Sequence, residues 1–331
     1  MRSKTTLAQV AALSGFSTAT VSRAFAHPEL LNEETLRAIN DAAVILRYKI
    51  PDSNEEIGSE KRIGVFVNLF NDAGEIEILR GIANALRAWN FELVLYESLD
   101  HDRELLETRK IAARAELSAA IFIGAPENPA SIPILHSADI ATVIVDSQTS
   151  QFSRVYSPVE SAVDVVFEFF VKSKVKSLLF VGELPQGSER KEALILSRIR
   201  NLNRPKNTMV ISEFLIELGR APGPIDLIPT ITSESPDAIF AASDSLALEV
   251  YRDCLKMGFV VGSDIQIIGF GDGDLAQRLN LSSVSVFLDA QGRRAAEIIY
   301  SQLFNPEIGQ EVRQEIIQPQ LILRGSTKSL M

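Results

Sequence analysis

The sequence predicts a small all-α head, residues 1–50, followed by an α/β body with two lobes, each built around a doubly wound parallel sheet. Residues 5–25 read as two short amphipathic helices separated by a glycine. From residue 63 onward, apolar strand-like runs alternate with helical runs, as in βαβ units. This alternation occurs twice with a similar layout, so two lobes are expected to face each other across a cleft at the carboxyl ends of their strands.

The first 25 residues contain signals for the end of one helix and for the start of the next. Leu7, Val10 and Ala11 follow the i, i+3, i+4 spacing of an apolar helical stripe. Gly15 stands where a helix C-terminus favours glycine, and Ser17 stands where a serine caps the next helix. A helix, a glycine turn and a capped polar helix form the helix-turn-helix arrangement. The second helix has the right width for the major groove of DNA.

A third helix over residues 34–48 is expected to complete the head. Residues 51–62 are polar, which is typical of a linker. The body is predicted to span residues 63–331 and to bind an effector and form dimers. Its lobes are predicted to comprise 63–158 with 288–318, and 159–287 with 319–331.

Charge and composition suggest where the chain meets its partners. The 331 residues carry a net charge of −10, whereas residues 1–50 hold six basic and four acidic side chains. A mildly basic head on an acidic body suits a protein that contacts DNA at one end. No apolar run is long enough to span a membrane and the N-terminus has no signal sequence, so a cytoplasmic, nucleoid-associated protein without membrane contact is expected.

The sequence offers little material for catalysis. It has three histidines, one cysteine and no Gly-x-Ser-x-Gly, Walker or His-Glu-x-x-His pattern. Cys254 lies in a helical pattern and is predicted to be a packing residue. We therefore expect no enzymatic activity, no cofactor and no metal. A solute-binding module without a DNA-binding role is the alternative that the two lobes leave open; the helical head disfavours it.

Residues 6–25, TLAQVAALSGFSTATVSRAF, resemble the N-terminal motif of the lactose-repressor/galactose-repressor (LacI/GalR) family, T-L-x-D-V-A-x-x-A-G-V-S-x-x-T-V-S-R. Residues 236–272 and the closing QPQLILRGST are similar to further stretches of these repressors. The resemblance implies a helix-turn-helix head on a periplasmic-binding-protein-like body. It also implies a homodimer that regulates carbohydrate-utilisation genes, most often as a repressor, through a palindromic operator and a sugar or sugar-acid effector in the cleft.

The resemblance also implies which residues meet DNA. Thr18, Ala19 and Arg23 map to base-reading positions, and Arg23 is the candidate for bidentate contact to guanine. The remaining DNA-binding candidates fix the register on phosphates or complete the motif: Thr6, Ser17, Thr20, Ser22 and Asn32. In the family a hinge helix inserts a leucine into the minor groove. Here Ile57 is the only candidate wedge, and the acidic Glu55 and Glu56 beside it depart from the family pattern.

For the effector, the resemblance points to side chains at strand ends. Asp146 matches an effector-facing carboxylate, with a turn residue as the alternative, and Arg190 matches an effector-binding arginine, with a solvated surface arginine as the alternative. Gly271 replaces a common sugar-binding aspartate. Because a carboxylate repels an anion, its absence together with Arg190 favours a sugar acid such as gluconate.

Five further residues complete the predicted effector site. Ser243 and Asp244 follow a predicted strand, and Asp244 either contacts the ligand or caps the next helix. Asp272 follows Gly271. Phe70 and Tyr156 are the candidates for an aromatic face under the sugar ring, and either is also compatible with a place in the core.

Overall fold

The structure is a computed structural model of the chain. It describes the following residues: 7–18, 20–21, 24, 35, 38–39, 41–42, 61–67, 73–97, 100–114, 116–147, 152–184, 191–202, 209–216, 225–304 and 312–328. The chain divides into two compact units, Met1–Lys61 and Arg62–Met331. No helix in the described part of the chain combines the length and apolarity needed to cross a bilayer.

The described residues of the first unit form helical segments around one small core. Helix α1 spans Leu7–Ser14, and residues 18, 20, 21 and 24 as well as 35, 38, 39, 41 and 42 are also helical. Each of the three segments supplies two buried apolar side chains, and Phe16 packs against them: Val10, Ala11, Val21, Ala24, Ile39 and Ala42. These side chains are small or β-branched, so the helices can pack closely around few atoms.

The predicted helix end at Gly15 and the predicted helix cap at Ser17 are both confirmed. Gly15 has a φ of +77°, the left-handed conformation that ends α1, and its N–H donates to the carbonyl of Ala11 at 3.1 Å. The hydroxyl of Ser17 accepts a hydrogen bond from the N–H of Thr20 at 3.1 Å, which caps the second helical segment.

The described residues of the second unit form two six-stranded sheets. In the first sheet all strands are parallel, in the order β11-β5-β4-β3-β1-β2. Its elements are β1 Arg62–Val67, α2 Ala73–Ala88, β2 Glu92–Glu97, α3 His101–Arg114, β3 Ala119–Ile123, α4 Ser131–Ser137, β4 Ala141–Val145, β5 Ser153–Tyr156 and β11 Gln314–Ile316.

The second sheet has the order β12-β10-β9-β8-β6-β7. Its elements are α5 Val159–Lys172, β6 Ser177–Glu183, α6 Lys191–Leu202, β7 Val210–Ile216, α7 Ile228–Glu234, β8 Ala238–Ala241, α8 Asp244–Lys256, β9 Gln266–Gly271, α9 Asp274–Arg278, β10 Ser282–Ser285 and β12 Gln320–Ile322. The expectation of two wholly parallel sheets needs one correction, because β12 runs antiparallel to β10. Helix α10, Leu288–Phe304, returns to the first sheet and packs on α2.

Burial explains why the strands appear in the sequence as continuous apolar runs. The strand Ala119–Ile123 is buried along its whole length, as is Ala238–Ala241, because helices cover both faces of a parallel sheet. Cys254 is fully buried in the main core, which confirms its predicted packing role. Burial raises the pKa of its thiol to about 11.

A buried carboxylate anchors the loop after β3. Glu104 of α3 is 2% exposed and accepts hydrogen bonds from the N–H groups of Glu127 and Asn128, both at 3.1 Å, and from the Ser131 hydroxyl at 2.7 Å. It therefore satisfies donors at the start of α4 that would otherwise be buried without partners.

Glu104→Gln is expected to lower the free energy of unfolding by about 2 kcal/mol, because charge-assisted hydrogen bonds are lost from a buried site. Urea unfolding measures the change. The matched control is Glu107→Gln, one turn along the same helix, where a half-exposed carboxylate pairs with Lys110. A surface pair of this kind contributes under about 1 kcal/mol. Equal losses in the two variants would contradict the anchoring role of Glu104.

Candidate functional site

The carboxyl ends of strands in both sheets carry residues in strained backbone conformations. Asp146, directly after β4, has a φ of +57°, and Asp272, after β9, has a φ of +59°. Gly271, the last residue of β9, has a φ of +121°, which L-residues rarely adopt. A non-glycine residue held in the left-handed region costs roughly 1–3 kcal/mol, and such strain is concentrated at functional sites. Asp146, Gly271 and Asp272 thus lie at the edges where a cleft ligand is expected.

Asp244 is a buried residue that accepts hydrogen bonds from two other segments of the second unit. Its carboxyl group accepts hydrogen bonds from the Ser283 hydroxyl at 2.5 Å and from the N–H of Gly273 at 2.9 Å. The predicted alternative of a capping role for Asp244 is wrong. Ser243 is the N-cap of α8, and its hydroxyl accepts from the N–H of Leu246 at 3.2 Å.

Burial raises the pKa of Asp244 to about 6; the neighbouring carboxylate of Asp272 adds to the rise, and the hydrogen bonds from Ser283 and Gly273 oppose it. The folded protein therefore binds this proton more tightly than the unfolded chain does. For an acid with a raised pKa, the contribution to stability is greatest below the unfolded pKa and falls as the pH rises through the folded pKa.

Asp244→Asn is expected to remove this pH dependence. Between pH 4.5 and pH 7, the stability of the variant should rise by about 2 kcal/mol relative to the original chain, because only the original must ionise a buried carboxyl group. Urea unfolding at the two pH values gives the comparison. A stability difference that stays constant with pH would contradict the assignment.

Asp272 is neutralised within the protein. Its carboxylate lies 2.6 Å from the guanidinium of Arg324, and both side chains are less than a fifth exposed. Arg324 also donates to the carbonyl of Leu281 at 2.7 Å. Arg324 belongs to the closing segment that resembles these repressors, but no role was predicted for it. Its only signal was that resemblance, because Asp272 and Arg324 are distant in the sequence.

A cation and an aromatic ring meet at the end of β9. The Lys191 ammonium lies 5.7 Å from the ring centroid of Phe270. Neither residue was among the predicted site residues, although Lys191 directly follows Arg190. Tyr156 ends β5, and the guanidinium of Arg154 lies 4.6 Å from its ring centroid. One face of Tyr156 is therefore already covered by a cation.

In the head, Ser17 and Thr18 are exposed, and the hydroxyls of Ser17 and Thr20 lie 2.8 Å apart. The other predicted site residues lie outside the described residues: Thr6, Ala19, Ser22, Arg23, Asn32, Ile57, Phe70 and Arg190. Among the described residues, no group of three or more histidine, cysteine, aspartate or glutamate side chains is arranged to hold a metal ion.

Comparison with known proteins agrees with this architecture. Residues 167–327 match the family model described as "Periplasmic binding protein-like domain". The HTH-type transcriptional repressor CytR of Escherichia coli strain K12 is 26% identical over 98% of this chain and 97% of its own length.

Two solved structures share the fold. The lac repressor dimer bound to operator and the anti-inducer ONPF has a TM-score of 0.71 at 18% identity, over 99% of this chain and 100% of that chain. A LacI family transcriptional regulator from Enterococcus faecium with bound ribose has a TM-score of 0.66 at 18% identity, over 81% of this chain and 99% of that chain. In its two-sheet body, its helical head and its similarity over 98% of its length to a named repressor, the chain is similar to transcriptional regulators of the LacI/GalR family.

Proposed function

We propose that this regulator binds a palindromic operator as a homodimer and represses carbohydrate-utilisation genes. The observation that carries the proposal is the geometry of the head. The Gly15 turn and the Ser17 cap start a helical segment in which Val21 is fully buried and Thr18 is exposed. One face of the segment packs in the core, and the opposite face is available to a major groove. Similarity to a repressor solved as a dimer on its operator supports the same partner.

Within this proposal, Arg23 reads a guanine and Ala19 contacts a thymine methyl group, while Thr18 reads a neighbouring base. Hydroxyl and amide side chains on phosphates fix the register. Ile57 is the candidate minor-groove wedge. The two glutamates that precede it weaken attraction to phosphates. Two consequences are compatible with this change: less DNA bending than a leucine hinge produces, or an operator with a different half-site spacing.

The proposed effector is a sugar acid bound in the cleft. Gly271 stands where these repressors commonly have a sugar-binding aspartate, so the carboxylate is missing. The φ of +121° at this position disfavours any residue with a side chain. The nearby carboxylate of Asp272 is neutralised by Arg324. Lys191 beside Phe270 brings positive charge to the same edge, and Arg190 precedes Lys191 in the sequence. Asp146 then accepts hydrogen bonds from the sugar hydroxyls. This balance of charge favours an anionic ligand over a neutral sugar.

Effector binding is proposed to change the angle between the lobes and so release the operator. A ligand shifts such an equilibrium only by its difference in affinity for the two states. The effector must therefore bind the operator-incompetent arrangement more tightly.

The test is binding of the purified protein to DNA from just upstream of its own gene, followed by fluorescence anisotropy across salt concentrations. Gluconate and related sugar acids are compared with glucose and other neutral sugars. We expect tight, sequence-selective binding that weakens with salt and is abolished by one sugar acid. Relief by a neutral sugar alone would contradict the role assigned to Gly271. Absence of any selective DNA binding would favour a solute-binding module instead.

A further inference from the structure

The beginning of α2 in the first lobe touches the loop that follows β9 in the second lobe. The N–H of Asp274 donates to Oε1 of Glu77 at 3.3 Å, although the two residues are 197 positions apart in the sequence. On the next turn of α2, the guanidinium of Arg80 lies 3.5 Å from the carboxylate of Asp274. Both partners lie at the edges where the parallel strands end, so the contact spans the cleft.

Gly273 leaves the space that this contact needs. Its φ of −73° is open to any residue, so its backbone conformation does not require glycine. A Cβ atom on Gly273, however, would lie 2.6 Å from Oε1 of Glu77. Alanine at this position would therefore displace the Glu77 carboxylate, which sits at the end of a flexible side chain.

Residues 272–274 also form contacts within the second lobe. The N–H of Gly273 donates to Asp244, and the side chain of Asp272 pairs with Arg324. The backbone of residues 272–274 is thus fixed between Asp244 on one side and Glu77 on the other. A ligand that contacts Asp272, or alters the hydrogen bonds of Asp244, would act on the same short loop whose Asp274 N–H donates to Glu77.

We propose that Glu77 is a latch that holds the two lobes together by accepting a hydrogen bond from the N–H of Asp274. The effector acts on this latch through the loop of residues 271–274. The regulatory half of this inference rests on the proposed function, whereas the latch itself rests on the contact geometry alone.

The exposed fractions of the side chains indicate which contact contributes most to holding the lobes together. The side chains of Arg80 and Asp274 are 48% and 59% exposed, so water and salt screen their ion pair. The Glu77 side chain is only 20% exposed. Partial burial raises its pKa, against the lowering effects of the Asp274 N–H and of Arg80. The hydrogen bond of Glu77 is therefore the main element, and Arg80 is secondary and salt-sensitive.

The test measures the distance between the lobes directly, without DNA or effector. Spin labels are attached at Arg109→Cys in the first lobe and Glu234→Cys in the second, both exposed positions. Native Cys254 is fully buried, and its raised pKa keeps it largely unreactive. Labelled protein is mixed with excess unlabelled protein, so that a dimer carries one labelled protomer, and the distances are read by pulsed electron resonance.

Glu77→Ala and Gly273→Ala are each expected to shift the distances to longer and broader values. Because both remove the same contact, the double variant should add no further shift. Glu168→Ala, which removes an exposed carboxylate from α5, should match the original chain. Distances in Glu77→Ala and Gly273→Ala that superimpose on the original would overturn the latch. Operator binding is measured separately, so its failure would affect the proposed function and leave the latch standing.

Discussion

Arg23→Ala is expected to weaken specific operator binding more than any other single change considered. Loss of a bidentate contact to guanine costs about 1–3 kcal/mol at each half-site. A homodimer engages two half-sites, so the total loss is expected to reach about 2–6 kcal/mol if the two contacts are independent. Fluorescence anisotropy on the operator, with base substitutions at each position, measures both the affinity and the specificity.

The control for this variant is Arg87→Ala, which removes the same charge from an exposed position in the last turn of α2. We expect Arg87→Ala to change operator affinity little. Arg23→Ala should also make the protein indifferent to one base pair in each half-site. If both variants lose the same small amount of affinity, Arg23 does not read the DNA.

Gly292→Ala is expected to lower the free energy of unfolding by about 3 kcal/mol, at the upper end of the usual cost of overpacking. A Cβ atom on Gly292 would lie 2.1 Å from the carbonyl oxygen of Ile78, and one on Gly81 would lie 2.1 Å from that of Asp289. These two glycines allow the backbones of α2 and α10 to come into van der Waals contact. Because a backbone atom cannot move aside as a side-chain tip can, the helices must separate.

A loss of stability would be informative, because replacing glycine by alanine in an uncrowded helix raises the free energy of unfolding by about 1 kcal/mol. Urea unfolding of Gly292→Ala and Gly81→Ala should both show losses. Asn84→Ala, at an exposed position on α2, should show none. A gain in stability from Gly292→Ala would contradict the close approach of the helices.

Some elements were predictable because their signals are local. The capped turn at Gly15 and Ser17 depends on contacts within four residues. The fully buried strands appear as apolar runs because both faces of their sheets are covered. Strand β10, Ser282–Ser285, was not predicted, because three of its four residues are serines. It is buried only because distant groups satisfy those hydroxyls: Ser283 donates to Asp244, and Ser282 bonds Thr327.

Residue patterns alone predict the alternation of strands and helices, the two-lobed plan of the body and the capped helix pair of the head. These features follow from hydrophobic periodicity and from caps, which act over a few residues. Residue patterns do not predict which partners the charged groups at the strand ends bind. Asp244 meets Ser283 across 39 positions, and Glu77 meets Asp274 across 197. No local pattern encodes such pairings, because they exist only once the sheets and lobes have brought distant strand ends together.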